Sequence, residues 1–490
     1  MRSVFISFCI ILSFSLWGQG NSRHVDPFIG TDHMGHTFPG PVLPFGMVQL
    51  SPDTDTVPYS TGQGYNPGVY EYCAGYQYND PTIVGFSHTH LHGTGHSDLG
   101  DFLLMPVSGP VQLNPGEAGK PRSGYRSAYE KSSESAQAGY YRVHLSDYGI
   151  DAELTATLRT GVHRYTYRRE GEASLLLDMV HGIYNYDGKV IWSSLRMVND
   201  TLITGYRQTN GWARNRFIYF AMSFSRPVRE YALVNLDREV YGGFWRRWKM
   251  DRNFPERSGR KLKAVFTFDI PKDGQLIVKM ALSGVSEEGA LRNLEAEASG
   301  LSFDQIREKA QKAWDDQLDR YQTEASPTDK VIFYTALYHS LLTPSVYQDA
   351  DGKYRGLDQQ IHQADGFTNY TVFSLWDTFR ALHPLLVLTH PSATADMIRS
   401  MLAHARQSAH GMLPIWSHHA NDNWCMTGYH ALPVIADAWA KGVRNFDVKE
   451  ALQAMEHTAT YPAYDGLEEY MQRGYLSKEK WGNPVSTTLE

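Results

Sequence analysis

The chain has 490 residues, 20% charged and 42% hydrophobic, with a formal net charge of −7 and an isoelectric point near 6.3. That is the profile of an ordinary globular protein too long for one core, so two or three domains are expected and a disordered chain is excluded. With no run of lysine or arginine, the charge balance argues against nucleic acid or an anionic membrane surface as partner.

In chain order, the first feature is "MRSVFISFCIILSFSLWGQG". Arg2 gives it a short positive start, an apolar run follows from Val4 to Trp17, and Gly18 and Gly20 are small residues suited to a signal peptidase. Residues 1–20 are therefore expected to be a signal peptide cleaved before Asn21, and the protein to be exported, periplasmic or at the cell surface. No other segment is long and apolar enough to be expected to span a bilayer. Losing Arg2 moves the formal charge from −7 to −8. Cys73 and Cys425 remain, too few for a disulfide framework; they either pair across domains or stay as buried thiols.

Residues 86–102 read "FSHTHLHGTGHSDLGDF", with His88, His90, His92 and His96 inside nine residues. If the stretch is a strand, His88, His90 and His92 share one face, and His-x-His can offer two imidazoles to zinc. The residue chemistry favours a polar pocket wall over a metal cage. A barrel hydrolase with such a pair would need βα units downstream, and this chain shows strands followed by helices.

Strand patterns fill the first half. In "DAELTATLR" Ala152, Leu154, Ala156 and Leu158 alternate with more polar partners, and "LKAVFTFDI" repeats the period. Between them "GVHRYTYRREGEASLLLDMV" reads as two strands joined by a glycine-containing turn. From Ser302 the period changes: Phe303, Ile306, Ala310, Trp314, Leu318 and Tyr321 share a helical face behind a Ser302/Gln305 capping box. Further helices are expected at 330–342, 394–407, 432–441 and 447–458. The expected domains are a β-sandwich over 21–285, a helical linker over 286–325 and a helical domain over 326–490.

Two later stretches carry chemistry. In "FTNYTVFSLWDTFRALHPL", Trp376, Asp377 and Arg380 lie together before Pro384. An aromatic plate beside a carboxylate suits a sugar, whose ring stacks while its hydroxyls donate; an ion pair on a helix with Trp376 in the core is the plainer alternative. The loop "WSHHANDNWCMTGYH" adds His418, His419, Asn421, Asp422 and His430, polar but individually unspecific.

Together these stretches resemble glycoside hydrolase family 92, the calcium-dependent exo-α-mannosidases. The likeness is carried by "VDPFIGTDHMGHTFPGPVLPFGMVQLSPDT", "GYQYNDPTIVGFSHTHLHGTGHSDLGDFLLMP", "TNYTVFSLWDTFRALHPL", "GYHALPVIADAWAKG" and "NPVSTTLE". It implies an N-terminal antiparallel β-sandwich on a C-terminal (α/α)6 barrel, with the active site between them and the barrel incomplete in this chain. It also implies exo-acting, inverting hydrolysis of terminal mannose from glycans, with α-1,2 linkages expected and mannose-containing glycans as partners. By the same likeness Asp377, with Trp376 beside it, and His88 and His90 become substrate contacts, with Arg380 beside them. Glu490 in "VSTTLE" becomes the general acid, and Ca²⁺ is expected with ligands beyond residue 490. Family members are longer, so this chain is expected to be inactive alone and prone to aggregate. A non-catalytic mannoside-binding or vestigial fragment, and another sandwich-plus-(α/α)6 glycosidase or phosphorylase, are the alternatives.

Overall fold

The computed structural model describes residues 20–55, 66–117, 119–238 and 247–489. The expected signal peptide, apart from Gly20, and Glu490 lie outside the described residues.

Two antiparallel sheets form the first half. One has six strands, in the order Ser51–Asp53, Gly85–Ser87, Leu103–Ser108, Ala173–Asp178, Leu262–Phe268, Glu230–Asn235. The other has nine, running from Glu256–Gly259 through Val190–Asn199, Leu202–Thr209, Arg216–Phe224 and Gln275–Ser283 to Thr160–Tyr167, Ile150–Ala156, Tyr140–Leu145 and Ser135–Gln137. Their facing side chains, among them Leu154, Tyr165, Leu176, Phe220, Phe266 and Met280, make one buried core, as face-to-face packing of alternating strands requires. The alternation in "LKAVFTFDI" is real: Leu262, Ala264, Phe266 and Phe268 all point inward. The two strands read in residues 161–180 also exist, but they do not pair as a hairpin. Thr160–Tyr167 belongs to the nine-stranded sheet and Ala173–Asp178 to the six-stranded one. The exposed residues 168–172 carry the chain across the edge between sheets, with Gly171 at a φ of 148°.

Helices follow from Glu287–Ala298 onward. That helix and the start of Phe303–Leu318 pack on the nine-stranded sheet through Ala290, Leu294, Phe303 and Ile306. Ser302 and Gln305 make the expected capping box. The helices Pro327–Ser340, Pro391–Gln407, Ala431–Ala440 and Val448–Ala459 share a second core. An arm that precedes the sandwich in sequence completes this core: Val25, Phe38, Val42 and Phe45 pack with Trp314 and Tyr338. The Trp314 indole donates to the Val42 carbonyl at 2.7 Å. Both folded halves are thus held by the arm as well as by the linker helices.

At their seam, Asp349 accepts from the Ser283 hydroxyl at 2.7 Å and the Asn293 amide at 2.9 Å. Burial pushes its carboxyl up to about 6, against those two hydrogen bonds, which act to lower it. A carboxyl raised on folding keeps its proton where the unfolded chain has lost it, so stability falls as pH rises from about 4 to 6. Asp349→Asn does not titrate. Its unfolding free energy relative to the native protein is therefore expected to rise by about 2–3 kcal/mol between pH 4 and pH 7. Urea titrations of both proteins at the two pH values read this difference, and a constant difference contradicts it.

Candidate active site

The histidine-rich stretch is a strand only over Gly85–Ser87. Beyond it the backbone turns, so His88, His90 and His92 do not share a face. His88 is fully buried; Nδ1 meets the Phe102 carbonyl at 2.8 Å and Nε2 meets His163 Nε2 at 3.0 Å, and His163 Nδ1 in turn meets the Tyr165 hydroxyl at 2.8 Å. Burial brings His88 down to about 4, with the Phe102 carbonyl opposing, and holds His163 well below the ordinary range. Neutral rings close this relay with every nitrogen satisfied. Gly161 makes room for it, since a Cβ there would lie 2.8 Å from His88 Cδ2.

His90 is equally committed. Its Nδ1 bonds the Gln49 carbonyl at 2.7 Å and its Nε2 lies 2.8 Å from Asp53 Oδ1, while His181 Nε2 reaches Asp53 Oδ2 at 2.7 Å. Burial acts to raise the Asp53 carboxyl, but the two imidazoles outweigh it and hold it below the usual carboxylate range. His88 and His90, expected as substrate contacts, spend their ring nitrogens inside the sandwich and anchor the loop. The loop's acids are anchored too. Asp98 pairs with Lys189 at 2.9 Å and accepts from the Trp212 amide at 3.0 Å. Asp101 is gripped by Arg207, with Nε at 3.0 Å, and by Arg216, with Nη2 at 2.5 Å.

What this anchored loop delivers is His92, Gly93 and Thr94, which form one wall of a crevice of about 500 Å³ between sandwich and helices. The facing walls come from His339, Ser340 and Thr343, then from Val372, Ser374 and Asp377, with Trp416 and Leu382 closing it. Asp377 is exposed at the start of a short helix, Leu375–Thr378, and its Oδ2 accepts from the Ser374 hydroxyl at 2.6 Å. The carboxylate therefore keeps further acceptor positions directed at solvent. Trp376 is half-buried and outside the crevice lining, and the Arg380 guanidinium sits 4.9 Å from its ring centre. Arg380 Nε donates to the Trp376 carbonyl at 3.2 Å. Trp376, expected as a plate for the sugar, lies against Arg380, and the aromatic residue on the crevice lining is Trp416. His339, Ser374 and Trp416 were missed by sequence reasoning; a lone histidine in the last turn of a helix carries no periodic signal.

The backbone around the crevice is strained. Val372, a β-branched residue, has a φ of 63°, and His419, Ala420, Trp424 and Met426 lie between 45° and 70°. Such positions persist where surrounding structure over-determines them, commonly at ligand sites. Here two bridges flank Val372, Ser345 with Thr371 and Phe373 with Ser417. Asp422 ties the strained loop by accepting from the Ile415, Trp416 and Trp424 amides at 2.8–3.0 Å. His418 and His419 are buried behind the crevice, with His418 Nε2 3.5 Å from Asp98 Oδ2. Asn421 crosses the seam, exchanging hydrogen bonds with the Asn215 backbone at 3.2 and 3.0 Å. His430 stacks on Phe379, their ring centres 4.4 Å apart. Cys73 and Cys425 are free thiols.

Among the described residues no group of three or more His, Cys, Asp or Glu is placed to hold a metal ion. Asp377 is the one carboxylate on the crevice lining among the described residues, whereas calcium takes six to eight oxygens. The described residues alone do not make a calcium site.

Comparison with known proteins places this architecture. The profile of the glycosyl hydrolase family 92 N-terminal domain matches residues 24–283, and that of the family 92 catalytic domain matches residues 289–490. A family 92 α-mannosidase of Bacteroides thetaiotaomicron, solved with mannoimidazole, superimposes with a TM-score of 0.89 at 42% identity, covering 96% of this chain and 60% of its own. An inverting family 92 mannosidase of B. thetaiotaomicron VPI-5482 gives a TM-score of 0.79 at 26% identity over 95% of this chain and 59% of its own. An uncharacterized secreted glycosidase of Arthroderma benhamiae is 24% identical over 352 residues, 66% of this chain and 42% of that protein. The chain thus spans less than two thirds of the length of each of these relatives. With both profiles matched along nearly its whole described length, the chain belongs to glycosyl hydrolase family 92.

Proposed function

We propose that this chain is the substrate-facing part of an exo-acting, inverting α-mannosidase that removes terminal mannose from glycans, with a preference for α-1,2 linkages. The observation that carries the reading is the crevice itself. An exposed carboxylate, Asp377, held by Ser374, shares one crevice lining with an aromatic residue, Trp416, and with a loop that the sandwich anchors by buried ion pairs. A carboxylate accepting from paired hydroxyls beside an apolar ring is a chemistry that recognises a sugar and repels an anion. The relative solved with mannoimidazole supports mannose as that sugar.

Inversion needs a protonated acid on the leaving oxygen and a second carboxylate about 6.5–9.5 Å away to activate water. Glu490 is proposed as the acid, from its place in "NPVSTTLE". The base, and the calcium that the family likeness implies, would be supplied beyond residue 490. Export from the cell is proposed with the activity: the fungal relative is named as secreted, and no helix of the described residues is long and apolar enough to cross a membrane.

The test is release of free mannose from α-1,2-mannobiose, with and without a chelator, alongside calorimetric binding of methyl α-mannoside. Asp377→Ala is expected to weaken mannoside binding by about 100-fold, the loss of two charge-assisted hydrogen bonds. Binding without release identifies this chain as the non-catalytic half of the enzyme. Unchanged binding in Asp377→Ala overturns the assignment of the crevice.

A further inference from the structure

We infer that His92 and His339, one from each folded half, form a paired imidazole contact for the hydroxyl-bearing edge of the sugar in the crevice. The inference rests on the reading of that crevice as the mannoside site. His92 follows buried Leu91 and stands edge-on to Phe38, their ring centres 6.4 Å apart; Gly93 N is tied to the His36 carbonyl at 2.8 Å. His339 lies in the last turn of the helix Pro327–Ser340, beside fully buried Tyr338. The two rings meet across the seam with centres 4.9 Å apart and planes at 44°.

Each ring keeps one nitrogen that is buried from solvent and has no partner among the described residues: Nδ1 of His92 and Nε2 of His339. Native proteins rarely leave such atoms unpaired, because each gives up its hydration with no hydrogen bond in return. Both residues line the crevice, so a small rotation of either ring turns its unpaired nitrogen toward a group that enters the cavity. Burial brings His92 down to about 3, His339 adding to it, and brings His339 down to about 4, so both rings are uncharged at neutral pH. An uncharged imidazole offers one donor and one acceptor, which matches a hydroxyl. An anionic ligand would find no positive charge on this pair and would meet the Asp377 carboxylate on the same crevice lining. A neutral polyol, here the mannose ring, fits all three groups.

The experiment is calorimetric titration of the full chain with methyl α-mannoside and its 2-, 3-, 4- and 6-deoxy analogues. His92→Phe and His339→Phe preserve ring volume and remove the nitrogens. Each is expected to bind methyl α-mannoside about tenfold more weakly, with an unfolding midpoint equal to or above that of the native protein. One deoxy analogue is expected to bind the native protein about tenfold more weakly and to lose nothing further in the variants, because the partner hydroxyl is already gone. Should either phenylalanine variant fail to fold, His92→Gln and His339→Gln keep a donor and an acceptor at the wall and are expected to bind within about threefold of native. Phenylalanine variants that bind within twofold of native while Asp377→Ala does not bind overturn the pair and leave the crevice reading standing. No binding by the native protein overturns both.

Discussion

Asp101→Ala is expected to destabilise the sandwich by about 4 kcal/mol, enough to leave little folded protein at 37 °C. The carboxylate is fully buried and receives Arg207, Arg216 and the Thr89 hydroxyl, the last at 2.5 Å. Burial works to raise its pKa, but the two guanidiniums outweigh it and hold it far below the carboxylate range. Removing the anion leaves two buried guanidinium groups facing each other, and a stranded buried charge costs more than the lost pair was worth. Arg207 retains the Met179 carbonyl at 3.1 Å; Arg216 depends more heavily on the acid. Adding Arg216→Met to the Asp101 variant is therefore expected to recover part of the loss, which a double-mutant cycle in urea measures. A single variant within 1 kcal/mol of native stability would sink the argument. The site shares this fate, because the same loop positions His92 for the crevice.

Acid is expected to unfold the protein well before its carboxylates titrate. Burial lowers His88, His339, His383, His390 and His404 to about 4 and His92 to about 3, and holds His163 and His419 well below the ordinary range. In the unfolded chain these rings titrate at about 6.5. A histidine depressed on folding gains its proton on unfolding, so stability rises with pH and is lost as pH falls from about 6.5 towards 4. At pH 5 each such ring costs about 2 kcal/mol, and several acting together exceed the net stability of most domains. Asp349 titrates in the opposite sense but is one group against many. The helical half is expected to yield first, since His383 and His404 pack against Phe373 with ring nitrogens that have no partner among the described residues. Thermal scans at pH 7.5, 6.0 and 5.0 read the slope, and His404→Leu should flatten it by about one proton. A midpoint that holds steady down to pH 5 contradicts this reading.

Local chemistry made many elements legible. The Ser302/Gln305 capping box marks a helix start in the sequence and in the structure alike. The helices expected at 330 and 394 begin three residues earlier, at Pro327 and Pro391. A proline there has no hydrogen bond to lose and its fixed φ suits the first helical position, so what reads as a break is a start. The domain order was visible because strand and helix periods rest on neighbours in sequence.

The histidine stretch shows the opposite case. Its composition announced a polar site, but each ring's role depends on a partner far along the chain: His90 on Gln49, 41 residues away, His88 on His163, 75 away, and Asp101 on Arg207, 106 away. Asp377 was readable as a carboxylate in a sugar-like setting, whereas His339 and Trp416 joined it only through the packing of the two halves. By itself the sequence determined the two classes of domain, the family and the position of the exposed carboxylate, because these rest on periodicity, capping and contiguous motifs. Tertiary structure alone decided which histidines are spent holding the loop and which face the crevice, because a ring nitrogen's chemistry is set by what lies within 3 Å of it, and chain order does not fix that.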